Sequence, residues 1–455
     1  MVPFVRQGAP GAVRAIMNGW PIRPVSRATP DHTPEGACMF YRKTVLDNGI
    51  TVISEPVESV RSITLGIWFA VGSRDESPEE AGMSHFMEHM MFKGTPTRSA
   101  KDISEEFDRM GAEFNAGTSK EYTVYYARFL DQHLSTAFEV LGDMVVNASL
   151  DQDECLKERE VVIEEIARME DNPEDQVGEI FESALWPTHP IGLPVIGSRE
   201  TVGTFDHDAA VAFRTKHFLT GNVVVAAAGN VDHDAVVALA QRCLADLPQG
   251  PRTPRVHAVS TDQHPLVSIN KDTEQAHILF GMVTMDSRDD DRFPLQLLND
   301  VVGGGMSSRL FQQIREQRGL AYAVQSFPAL YQDTGQYTVY VGTRPENTKI
   351  VIDLVRAEFA KVAEEGITAE ELARAQESAA GHLALSTEAT RNRMMRLGRA
   401  EVCDNVVLSA EDVINRFNAV TLDDIRRVAS QLLVSPTTLA VIGPFNEDQA
   451  ADLLR

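Results

Sequence analysis

Cysteine is scarce in this chain: there are four in 455 residues, at positions 38, 155, 243 and 403, and none forms a CxxC pair. Thiols so widely spaced exclude a disulfide scaffold and a thiolate metal cluster, and they fit a reducing compartment. Long apolar runs are also missing. None approaches the ~20 residues that a membrane-spanning helix needs. Positive charge is in short supply, with 42 Lys and Arg against 66 Asp and Glu, a net charge of −24. That balance repels a phosphate backbone and excludes nucleic acid as the main partner, while it attracts cationic peptides and serves solubility. Acidic residues, in turn, are absent before Asp31, where Arg6, Arg14, Arg23 and Arg27 stand among Pro and Gly. No apolar core of secretory type lies in this stretch. Residues 1–38 read as a disordered tail or an upstream extension, with a mitochondrial-matrix transit segment as the alternative to a cytoplasmic protein.

What is there suits a soluble protein of at least two domains, given the length and an apolar fraction of 43%. Thr44–Pro56 carries an Asp47-Asn48-Gly49 turn and reads as a hairpin. A β-rich run follows over Ile63–Val71, then a helix over Glu79–Phe92, a helix over Ser99–Met110 and strands across Glu113–Phe129. A helix over Leu130–Val146 and a long charged one over Asp151–Met169 come next. The latter stops near Asn172-Pro173, where proline disfavours continuation. Residues 247–264 are rich in Pro, Gly and polar side chains and have no periodicity, which marks them as a linker.

After that linker the pattern begins again. "NVVVAAAGNVDHDAVVALAQ" and "TTLAVIGPFNEDQAADLLR" both run apolar strand, glycine, acidic turn, helix, and "YTVYYARF" is echoed by "YTVYVGTR". A repeat of roughly 210 residues is too long for a solenoid. The expected fold is therefore α+β, with two similar duplicated domains, 39–246 and 265–455, each a mixed, mostly antiparallel sheet flanked by helices.

The chemistry concentrates in "GMSHFMEHMMFKGT". His85 and His89, four residues apart on a helix, project about 40° apart and can grip one ion. Glu88 points into the same region. H-x-x-E-H is the inverted form of the commoner zinc-peptidase motif. A catalytic zinc takes three protein ligands and keeps one position open, so two histidines call for a third partner. The acidic helix "DECLKEREVVIEEIARMED" offers Glu158 and Glu165, two turns apart on one face. The helix alone leaves both open, and a solvated acidic face as well.

HFMEH followed 76 positions later by Glu165, with Glu158 seven before it, resembles the pitrilysin/insulinase family of zinc peptidases. In size the chain is similar to short bacterial members related to the mitochondrial processing peptidase β subunit. The resemblance runs from about Phe40 to Arg455 and includes "GAEFNAGTSKEYTVYY" and "GGGMSSRLFQQIREQRGLAYAV". It implies a zinc endopeptidase with one Zn²⁺ per chain held by His85, His89 and Glu165. It further implies Glu88 as general base, Glu158 supporting the site from behind, and Asn115 and Ala116 contacting the substrate backbone. Arg315 and Tyr322 match a pair that reaches substrate from the second half, and the resemblance implies a homodimer. The alternative is a non-catalytic or partner-dependent subunit of a heteromeric processing peptidase.

The residues themselves add two points. Strand "AEFNAGTS" alternates and carries small side chains, which suits an edge to which an extended peptide, including a basic one, adds as a strand. Aligning Gly94 and Arg98 with Gly305 and Arg309 puts Gln296, Asn299 and Asp300 where His85, Glu88 and His89 stand, so the second half cannot repeat the chemistry. Its Gly303–Gly305 run lacks the lysine of a phosphate loop.

Overall fold

The computed structural model describes residues 40–260 and 265–453. The tail expected over 1–38 and the last four residues of the expected linker lie outside them. The first sheet contains β1 (Arg42–Val45), β2 (Thr51–Pro56), β3 (Ser62–Phe69), β4 (Glu113–Thr118), β5 (Thr123–Leu130) and β6 (Val223–Gly229), in the order β1-β2-β6-β3-β5-β4. The second contains β7 (Leu266–Asn270), β8 (Ala276–Thr284), β9 (Ala321–Leu330), β10 (Gly335–Thr343) and β11 (Thr438–Gly443), in the order β7-β11-β8-β10-β9. Without β1, each half runs first, fifth, second, fourth, third strand. In each, the first pair (β2–β6, β7–β11) is parallel and the others are antiparallel. The duplicated α+β fold expected from the sequence is the fold observed.

The strands form where β-branched and aromatic residues run together. β6 and β11 are buried on both faces and read as continuous apolar runs, "VVVAAAG" and "TLAVIG". One core lies beneath the first sheet, around Ile67, Phe69, Phe86, Met90, Tyr125 and Phe138. A second lies beneath the other sheet, around Phe280, Leu298, Tyr337 and Phe359. No helix among the described residues is long and apolar enough to cross a membrane.

The remaining faces of the two sheets are covered by exchange. Helix Pro173–Leu185, in the first half of the chain, buries Val177, Phe181 and Leu185 with Trp186 against Leu279, Tyr340, Ala440 and Ile442 of the second sheet. Helix Thr390–Arg399, in the second half, buries Met394 and Leu397 against Trp68, Val224 and Ala226 of the first. There the Trp68 indole N–H donates to Met394 Sδ at 3.4 Å. Residues 251–260, within the expected linker, have no regular secondary structure but are tied down by hydrogen bonds at several points. Thr253 N–H donates to Asn222 at 2.9 Å and Arg255 Nε to Asp75 at 2.9 Å.

Candidate metal centre

The motif helix is shorter than its sequence pattern: Met83–Met90 rather than Glu79–Phe92. Gly82 at its N-cap is left-handed, with φ 95°, which starts the helix there and turns Pro78–Glu80 into a separate 3-10 turn. With no side chain, Gly82 cannot cap. Glu76 does so instead: its buried carboxylate accepts the backbone N–H of Gly82 at 2.8 Å and of Ser84 at 2.6 Å. Burial pushes the Glu76 carboxyl up to about 8.

Met83, Phe86, Met87 and Met90 anchor one face of this helix in the core, which leaves His85, Glu88 and His89 on the other. Opposite lies the acidic helix, Gln152–Asp171, capped by Asp151 and seated through Cys155, Val162 and Ile166. Glu165 Oε2 lies 3.8 Å from His85 Nε2 and 3.7 Å from His89 Nε2. His85, His89 and Glu165 form the one group of His, Cys, Asp and Glu among the described residues with ligand atoms clustered for a metal, all within 4.8 Å of one another. Zinc bonds of ~2.0–2.1 Å in a tetrahedron separate ligand atoms by about 3.4 Å, so the histidine–glutamate gaps close with shifts of a few tenths of an ångström.

The two glutamates that the sequence left open are told apart by their surroundings. The Glu165 side chain is 42% exposed and faces both Nε2 atoms, whereas Glu158 is buried and faces the other nitrogen of one ring. His89 Nδ1 lies 3.1 Å from Glu158 Oε2, while Lys93 Nζ lies 2.5 Å from Glu158 Oε1. A carboxylate behind a histidine fixes the tautomer that presents a free Nε2 and makes it a better donor to a metal. Burial, reinforced by the neighbouring His89, pulls His85 down to about 4, so that ring is neutral at pH 7 and able to ligate. His85 Nδ1 is buried with no hydrogen-bond partner among the described residues, so no carboxylate comparable to Glu158 stands behind it there.

Glu88 Oε2 accepts the Thr118 hydroxyl at 2.6 Å. Burial raises its proton affinity above the ordinary carboxylate range, opposed in part by that hydrogen bond. Thr118 ends β4, which pairs with β5 on one side and is the last strand of its sheet. Asn115 is exposed on β4, and its Oδ1 accepts the Ala116 N–H at 2.9 Å. Arg315 and Tyr322 are brought together, with the guanidinium 4.8 Å from the Tyr322 ring centroid and the tyrosine 77% exposed. No hydrogen bond or ion pair among the described residues joins either to the histidines, Glu88 or Glu165. In the second half, Gln296 Nε2 donates to Asp300 at 3.2 Å, while Asn299 accepts from the Ser326 hydroxyl at 2.7 Å.

Sequence reasoning missed Lys93, Thr118 and Glu76. Lys93 carried a signal in its spacing, four residues after His89, although the helix ends at Met90 and Lys93 lies in the turn beyond it. Thr118 and Glu76 carried none beyond being polar.

Residues 51–199 match the family model described as insulinase (peptidase family M16), and residues 204–379 match the one described as the peptidase M16 inactive domain. The chain is 41% identical over 421 residues to a Streptomyces coelicolor protein named an uncharacterized zinc protease, with 90% of this chain and 91% of that one covered. It is 37% identical over 409 residues to a Bacillus subtilis protein named uncharacterized zinc protease YmxG, with 89% and 98% covered. Among solved structures it is similar to a peptidase M16 inactive domain from Pseudomonas fluorescens, with TM-score 0.84, 23% identity, and 89% and 98% of the chains covered. A protease from Helicobacter pylori gives the same TM-score at 22% identity, with 89% and 99% covered.

Proposed function

The chain belongs to the insulinase family of peptidases, M16, and from that premise we propose that it is a zinc-dependent endopeptidase acting on extended, unstructured peptides. The observation that carries the reading is the meeting of three ligand atoms from two helices beside a carboxylate bonded to an edge strand. His85, His89 and Glu165 would hold one Zn²⁺ in the catalytic first half, with Glu158 behind His89. The ion, when bound, supplies a Lewis acid for the scissile carbonyl and lowers the pKa of water toward ~7.

The rest of the work falls to the chain. Glu88 accepts the proton of the attacking water and returns it to the leaving amine nitrogen, and its raised proton affinity suits both transfers at neutral pH. The Thr118 hydroxyl occupies Oε2 and so leaves Oε1 for the water. A peptide adding to the free edge of β4 would meet Asn115 and Ala116, and it must take the Ala116 N–H from the Asn115 side chain. Backbone pairing gives affinity with little side-chain preference, and the net charge of −24 favours basic peptides. Arg315 would bind a peptide carbonyl and Tyr322 donate to the developing oxyanion from the non-catalytic second half. We take the assembled protein to be a cytoplasmic homodimer, which a mass measurement in solution tests.

One observation favours a second reading, a partner-dependent subunit: among the described residues, no hydrogen bond or ion pair joins Arg315 or Tyr322 to the metal-site residues. The experiment for both is cleavage of a quenched, unstructured peptide by the purified chain with and without a chelator, alongside Glu88→Gln. Removing the general base should cost on the order of 10²–10⁴-fold in rate with zinc content unchanged. Cleavage that survives both chelation and the substitution sinks the mechanism. A zinc-loaded wild-type chain that stays silent until a partner is added supports the second reading.

A further inference from the structure

Three consecutive residues behind the motif helix bond in three directions. The segment Gly72–Glu76 lies flat against the turn between β4 and β5, where Ser73 N–H donates to the Ser119 carbonyl at 3.1 Å and Arg74 N–H to the Lys120 carbonyl at 2.9 Å. Gly72 permits this contact, since a Cβ there would sit 2.3 Å from the Ser119 oxygen. The buried Arg74 guanidinium then crosses to the second half. Its Nη1 donates to Glu121 at 2.7 Å and to Asp333 at 2.8 Å, and its Nη2 to the other Asp333 oxygen at 3.0 Å and to the Val256 carbonyl at 3.2 Å. Asp333 stands in the turn between β9 and β10 and also accepts the Ala258 N–H at 2.9 Å. Asp75 receives Arg255 through Nε at 2.9 Å and Nη2 at 3.0 Å. Glu76 holds the first turn of the helix that carries His85, Glu88 and His89.

We propose that Arg74 and Asp333 are positioning residues for the metal centre: docking of the β9–β10 turn fixes the Gly72–Glu76 segment, and through Glu76 it fixes the motif helix. The proposal rests on the zinc-peptidase reading above. One residue separates Arg74 from Glu76, so a displacement of the first moves the second. The motif helix has glycine at its N-cap and no side chain of its own there, which makes the Glu76 carboxylate its cap. The same segment pairs with Ser119 and Lys120, immediately after β4, so the edge strand is held by the same docking. Buried charges enforce the arrangement, because an Arg74 left without Asp333 keeps only Glu121, which Arg255 also approaches at 3.6 Å, and loses the bidentate partner that ties it to the second half. This is a device with a defined element and two ends, and a double-mutant cycle measures whether the ends are coupled.

The test uses the full chain as wild type, Asp333→Asn, Glu76→Gln and the double variant, assayed well below the lowest melting temperature of the set. Zinc affinity is read by competition with a chelator, and kcat and KM are read separately on a quenched peptide. Each single variant should weaken zinc retention by about 10-fold, the scale seen when an outer support of a ligand is lost. Both should lower kcat more than they raise KM. The double variant should be little worse than the stronger single, and Asp333→Glu should restore most of the loss. Should Asp333→Asn fail to fold, Arg74→Lys, which keeps the charge and loses the fork, gives the same readout. The proposal is overturned if Asp333→Asn keeps wild-type zinc affinity and kcat, or if the two effects multiply. A wild-type chain that binds no zinc instead removes the peptidase reading, and the proposal with it.

Discussion

Replacing Phe181 with alanine separates two views of how the chain is held together. Phe181 is fully buried on helix Pro173–Leu185, which belongs to the first half by sequence but packs on the second sheet against Leu279, Tyr340 and Ile442. Truncating a buried phenylalanine costs ~3–5 kcal/mol. Unfolding entropy near 60 °C is ~2.1 cal/mol/K per residue, so roughly 400 residues melting as one unit lose about 0.85 kcal/mol per degree. The substitution should then lower a single transition by about 4–6 °C. A second half melting alone, at roughly 200 residues, would fall by about 7–12 °C and leave another transition in place. Scanning calorimetry of the metal-free chain reads the difference directly. Leu397→Ala, on the helix lent in the other direction, should move the same single peak. Two peaks, one of them still at the wild-type temperature, would refute the interlocked picture.

Glu158→Gln should weaken zinc binding 10–100-fold in a chelator competition while the fold persists, because the amide no longer presents a charge to His89 Nδ1. An unchanged affinity would leave Glu158 without a part in the site. In the second half, Arg309 holds the Glu371 carboxyl down to about 2 from its usual 4.5. The folded state therefore binds that proton later than the unfolded one. The stabilisation is complete above ~4.5, fades as pH falls toward 2, and is gone below it. The gap in melting temperature between the metal-free wild type and Glu371→Gln should shrink over that window, and a gap that widens on acidification contradicts the assignment. Tyr322→Phe should lower kcat with little effect on KM in an active enzyme, since an oxyanion donor acts in the transition state. An effect on KM alone would reassign the residue to ground-state binding.

Much of the candidate site was legible because its spacing is local. His85, Glu88 and His89 lie within five residues, and helical geometry puts them together wherever that helix goes. Glu158 and Glu165 were placed on one face by the same rule, but the rule does not say what that face looks at. Only packing separates the exposed glutamate between two Nε2 atoms from the buried one behind His89. The duplication was visible in the repeated strand–glycine–turn–helix segments, and the sheets follow it strand for strand. The exchange of helices was not visible. Periodicity in Pro173–Leu185 shows an apolar stripe, and a stripe does not name the sheet that covers it. The buried ion cluster was equally hidden, since Arg74, Asp75, Glu121, Arg255 and Asp333 come from four separate segments of the chain. A Pro- and Gly-rich stretch was read as a linker for want of periodicity. In the structure its Arg255 is part of that cluster.

The exchanged helices also impose a schedule on synthesis. The first sheet is complete in sequence at Gly229, yet Trp68, Val224 and Ala226 are covered by Thr390–Arg399, about 160 residues later. At ~5–20 residues per second, a ribosome needs roughly 10–30 s to deliver that cover. During that interval a growing chain presents an apolar sheet face that its own later residues have yet to close. A nascent chain stalled between residues 260 and 390 should therefore recruit holding chaperones, and release of the full-length chain should dismiss them.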